Sequence, residues 1–151
     1  MIKEKENAKI NLDKLPFKID GSKIKELSKD IANDLSKVLS TMGSNVALSW
    51  CLSTIKKAKV FTIIYQANEN SETIYKEEIA KKLTEYSYKT IASIIDEGIE
   101  KGFYITLDQK SDEIRDKKIK NIRLSKEVTN AFLNWNIDRI SSLAKVIKKY
   151  K

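Results

Sequence analysis

The chain has 151 residues, enough for one domain with a substantial core and short for two. One Pro and four Gly favour helix over irregular structure, and the absence of His with a single Cys excludes His-centred triads, His-ligated metals, cysteine zinc clusters and an internal disulfide. Twenty-nine Lys and Arg against 21 Asp and Glu leave a net charge of +8, which suits an acidic partner: nucleic acid first, an anionic membrane second, an acidic protein third. No cofactor and no metal are expected, and neither is an enzyme.

Residues 1–21 form a polar, mixed-charge arm, expected to be loose at its start and docked near Leu15, Pro16, Phe17 and Ile19. It has no apolar stretch of the kind a secretory signal carries, so the chain reads as cytoplasmic. From Ser22 to Met42 the apolar residues Ile24, Leu27, Ile31, Leu35, Val38, Leu39 and Met42 recur at intervals of three and four, predicting a helix. Asp20 or Ser22 can cap its start, and Gly43 is placed to end it in a left-handed conformation. Asn45–Gln66 is a second helical region, with a break expected near Lys56 and Lys57, and Ala67–Glu72 reads as a loop. The longest apolar runs, Val46–Leu52 and Val60–Tyr65, fall well short of the roughly 20 residues a membrane helix needs.

Two short helices follow, Thr73–Leu83 and Ser87–Lys101, joined by Thr84, Glu85 and Tyr86 and stopped by Gly102. Phe103–Leu107 has strand composition, residues 108–116 read as a polar loop, and Lys118–Leu124 reads as the returning strand, with Ile122 and Leu124 on one face and Asn121 and Arg123 on the other. The last helix, Ser125–Tyr150, is capped by Ser125 and carries two apolar stripes, one from Val128 through Phe132, Trp135, Leu143 and Val146, the other from Leu133 through Ile137, Ile140, Ala144 and Ile147. A helix apolar on two sides buries both, and in a chain this small a second subunit is the economical cover. Cys51, beside Trp50, reads as a buried structural thiol rather than a redox sensor.

Helix, turn, helix and hairpin in this order make a winged helix-turn-helix over about residues 57–124, flanked by dimerisation helices 22–42 and 125–150. The fold class expected is therefore mainly α with a small β-hairpin wing. Ile94–Val128 resembles the recognition-helix-to-wing block of MarR-family transcription regulators. Glu100-Lys101-Gly102, Asp116-Lys117-Lys118 and Ile122-Arg123-Leu124-Ser125 stand in the family's register, and Ser87–Glu97 is similar to its recognition helix through Ser87, Thr90 and Asp96. The chain departs from the family at Lys118, where Arg is frequent, and at Ser93 and Glu97, where basic residues are frequent.

The resemblance implies a homodimer reading double-stranded DNA, with no membrane partner and with a small-molecule effector of unknown identity. The recognition helix, about 87–101, would offer Ser87, Tyr88, Lys89, Thr90 and Ser93, whose hydroxyls and ammonium can bond phosphates or base edges. The basic wing, about 108–120, would offer Lys110, Arg115, Lys117, Lys118 and Lys120, with Asp116 ordering the loop through Lys118 or Arg115. The alternative is a winged-helix module for protein interaction or scaffolding, without specific DNA binding.

Overall fold

A computed structural model describes residues 9–110 and 118–151. Two single 3-10 turns, Leu12–Lys14 and Gly21–Lys23, precede α1 (Ile24–Gly43), α2 (Val46–Cys51), α3 (Ile55–Glu69), α4 (Lys76–Lys82) and α5 (Tyr88–Glu100). A hairpin of β1 (Tyr104–Lys110) and β2 (Lys118–Leu124) leads into α6 (Lys126–Tyr150). The protein is thus mostly helical with a two-stranded antiparallel sheet, paired in register from Tyr104 opposite Leu124 to Lys110 opposite Lys118. Among the described residues no helix is long and apolar enough to cross a membrane.

The chain forms two compact units, Met1–Ser40 with Asn136–Lys151, and Thr41–Trp135. The second holds the main core. Val60, Phe61 and Ile64 of α3 are fully buried with Ile79 of α4, Ile91 and Ile95 of α5, Tyr104 and Ile122 of the hairpin, and Val128. Burying side chains of this size contributes about 1.5–3 kcal/mol each, which ties all these elements to one another. Gly98 is part of this fit, because a Cβ there would lie 2.3 Å from the Tyr104 ring. Gly102, at φ 78°, then turns the chain from α5 into β1.

Several boundaries differ from those expected, each for a local reason. The break in the second helical region falls at Leu52–Thr54, because Asn45 caps α2 and Thr54 caps α3 through its hydroxyl on the Lys57 amide at 3.1 Å. Lys56 and Lys57 therefore lie inside the first turn of α3. Gly43 closes α1 without a left-handed conformation. Ala67, Asn68 and Glu69 continue α3 instead of starting a loop, since Ala67 is buried and Asn68 is needed where it stands. Asn68 accepts from the Leu124 amide at 2.9 Å and donates to the Ile122 carbonyl at 3.3 Å, acting on β2 as a strand edge would.

The expected helix from Thr73 begins only at Lys76 for a related reason. The Ile74 carbonyl accepts from the Ile122 amide at 2.8 Å, and the Ile74 amide donates to Asn121 Oδ1 at 3.0 Å. Both backbone groups of Ile74 are committed to β2, so the residue cannot enter a helix. Asn121, on the face opposite Ile122 and Leu124, is also buried and makes this bond. β1 also extends through Asp108, Gln109 and Lys110, three residues expected in the loop.

In the first unit, α1 and the end of α6 are joined by polar bonds. Asp30 accepts from the Tyr150 hydroxyl at 2.6 Å and from Lys149 at 3.0 Å, and Glu26 pairs with Lys149 at 2.9 Å. Buried Asp34 accepts from the Ser142 hydroxyl. Phe17 stacks on Tyr150 with ring centroids 5.9 Å apart, which is the docking expected for the arm. Ile31, Leu35 and Leu39 of α1 and Ile137 and Ile140 of α6 remain exposed, at 47–67%.

Candidate nucleic-acid interface

The surface of interest starts at the turn between α4 and α5. Ser87 stands at the cap of α5, where its hydroxyl accepts from the Thr90 amide at 3.1 Å and lies 2.9 Å from the Thr90 hydroxyl. Those two side chains hold the helix start, and the residues between them face outward. Tyr88 is 51% exposed, and Lys89 and Ser93, one turn apart, are exposed beside it. The inner face of α5 needs Ile91, Ile94 and Ile95, a spacing of three and four that forces Lys89 and Ser93 outward.

Two acidic residues of α5, Asp96 and Glu97, have partners on neighbouring elements. Lys76 at the start of α4 pairs with Asp96 at 2.6 Å. The Trp50 indole N–H donates to Glu97 at 3.1 Å, while Lys57 sits 4.6 Å from the Trp50 ring centroid. Trp50 also packs against Phe103 and Tyr104, so Glu97 anchors α5 to α2 rather than standing alone. The Tyr88 hydroxyl lies 3.5 Å from Glu77. An open groove runs along this outer face, with Tyr88, Lys89 and Ser93 at one end and Asp96, Glu97 and Glu100 at the other. Its basic and hydroxyl groups are concentrated at the N-terminal end of the helix.

Reading the sequence misses the contribution of α3. Lys56 and Lys59 stand 5.5 and 5.7 Å from the centroid of the Tyr86 ring, and Lys59 pairs with Glu85 at 2.9 Å. Tyr86 immediately precedes the Ser87 cap, so the first turn of α3 adds its lysines to the N-terminal end of α5. The signal was available as a Ser-Thr cap followed by Lys at positions two and five, but only folding brings it to Tyr86.

On the hairpin, Lys120 is exposed, and the register sets Lys110 and Lys118 at opposed backbone positions. Arg115, Asp116 and Lys117, expected to contact DNA or order the wing, lie outside the described residues. Cys51 is fully buried in the core behind Trp50, and burial pushes its thiol up to about 11, only partly offset by Tyr104 and Lys57. Among the described residues the Tyr104 hydroxyl, itself buried, meets no partner at hydrogen-bond geometry, and loss of water raises its ionisation well above the usual value. Among the described residues no group of three His, Cys, Asp or Glu side chains could hold a metal ion. Compared with protein-family models, with curated proteins and with solved structures, the chain gives no match.

Proposed function

We propose that this chain is a DNA-binding transcription regulator of the winged helix-turn-helix type, similar to the MarR family and acting as a homodimer. The observation that carries the reading is the outward-facing start of α5, where Tyr88, Lys89 and Ser93 project beside Lys56 and Lys59 and just upstream of a hairpin. A helix presented this way fits a major groove about 12 Å wide, with its first turns against base edges and phosphates. β1 and β2 serve as the wing, and basic residues at the paired positions 110 and 118 suit a strand of phosphates. The exposed apolar residues Ile31, Leu35, Leu39, Ile137 and Ile140 suit burial against a second copy.

Substituting the wing and helix lysines tests the reading. Lys118→Ala and Lys89→Ala should each weaken duplex binding and reduce the salt slope by about one unit, in a titration followed by fluorescence anisotropy. Unchanged slopes in both variants would remove α5 and the wing from the contact surface. A second reading, a winged-helix module that binds protein, draws support from the acidic end of the α5 groove at Asp96, Glu97 and Glu100. It predicts that charge reversal at Glu100 disturbs partner binding and leaves duplex affinity alone.

A further inference from the structure

The net charge is unevenly divided. Thr41–Trp135, with α5 and the hairpin, holds 15 Lys and Arg against 13 Asp and Glu, a net of only +2. Met1–Ser40 with Asn136–Lys151 holds 14 against eight, a net of +6. Most of the basic excess therefore belongs to the unit that does not contain α5 and the hairpin.

Within that unit the excess is concentrated at the end of α6. Lys145, Lys148, Lys149 and Lys151 are all exposed, and no acidic residue follows Asp138. Lys145, Lys148 and Lys149 fall on one half of the helix circumference at 3.6 residues per turn. The nearby acids do little to neutralise the group as a whole. Glu26 and Asp30 both take Lys149, Asp30 takes the Tyr150 hydroxyl as well, and Asp34 is turned inward to Ser142. Lys145, Lys148 and Lys151 form none of the ion pairs found among the described residues. The same bonds, with Phe17 stacked on Tyr150, hold the helix end against α1, which sets the backbone positions from which these lysines extend.

A helix C-terminus favours cations, but that effect falls off within the last turn, and Lys145 lies beyond it. Four lysines in seven residues exceed it. We infer that this end of α6 is a second polyanion-binding surface, one that engages the phosphates of duplex nucleic acid without regard to sequence. Lysine ammonium groups on flexible stems are point charges suited to a diffuse row of phosphates, in contrast to the planar fork of Arg, which favours a shaped site. An anionic bilayer fits less well, because Ile140 is the last exposed large apolar side chain and none stands among the lysines for insertion into the interface. The inference is independent of the reading of α5: it concerns sequence-independent affinity, and it stands or falls on other residues.

The test uses the full chain with Lys145→Gln, Lys148→Gln and Lys151→Gln combined. Anisotropy titrations on a random-sequence duplex at stepped salt should show the magnitude of the slope falling by about 2–3 units, close to 0.9 per lost phosphate contact. A matched triple variant, Lys81→Gln, Lys82→Gln and Lys126→Gln, removes equal charge from exposed positions of the other unit and should leave the slope nearly unchanged. If the combined α6 variant does not fold by circular dichroism, the three single variants should each lower the slope by about 0.9. An unchanged slope, an equal loss in the matched variant, or absence of duplex binding by the wild type at low salt overturns the inference. So does lysine-dependent binding confined to phosphatidylserine vesicles, which would assign the surface to a membrane.

Discussion

Gly98 shows how little freedom single positions in the core possess. A methyl group there would collide with the Tyr104 ring, and that ring is held between Trp50 and the helix. Gly98→Ala should therefore destabilise the fold by about 1–3 kcal/mol in a denaturant titration despite its better helix propensity. An unchanged midpoint would mean that Tyr104 can move aside without cost. Cys51 makes a second prediction at this scale. With its thiol raised to about 11 and fully buried, alkylation at neutral pH should be slower than for a free cysteine by roughly two orders of magnitude or more. Rapid labelling of the native protein would contradict the burial and reopen a sensing role.

At the level of elements, the end of α6 is bound to α1 by groups whose ionisation sets a pH window. Hydrogen bonds from Tyr150 and then Lys149 hold the Asp30 carboxyl below its ordinary 3.8. Bonds to Glu26 and then Asp30 hold the Lys149 ammonium above its ordinary 10.5. A depressed carboxyl contributes stability above its unfolded value and loses it as pH falls through the folded one; a raised ammonium contributes below its unfolded value and loses it as pH rises through the folded one. The clasp is thus intact between about pH 4 and pH 10. Tyr150 is pushed up to about 12, first by loss of water and then by its bond to Asp30. Asp30→Asn should bring the Tyr150 ionisation down, visible as an earlier tyrosinate rise in an ultraviolet pH titration; superimposable curves would show that Asp30 does not hold the phenol.

The elements also show what periodicity can reach. α5, its Ser87 cap and its Gly102 stop were legible because every signal is local: a hydroxyl, apolar residues at three and four, and a glycine. The extended stretch before α4 was not, because its hydrogen bonds come from Asn121 and Ile122, 47 and 48 residues further along. The candidate site divides in the same way. Lys89 and Ser93 were legible from the face they share, whereas Lys56 and Lys59 entered only through Tyr86, and Glu97 found its partner in Trp50 across 47 residues.

For the whole molecule, the proposed homodimer depends on the exposed apolar residues of α1 and α6. Leu35→Lys combined with Ile140→Lys should convert a dimer to a monomer by light scattering while leaving helicity intact, since both side chains are half exposed or more. A wild type that is already monomeric at micromolar concentration would contradict the proposal. Loss of the dimer should also remove the affinity gained from two linked half-sites.

In the proposed function α5 reads duplex DNA as part of a two-fold assembly. Selection from a random duplex library at physiological salt checks this reading. The expected result is enrichment of a palindrome whose half-sites are centred about 10–10.5 base pairs apart or a multiple of that. A selected pool no different in sequence from the starting library would contradict it.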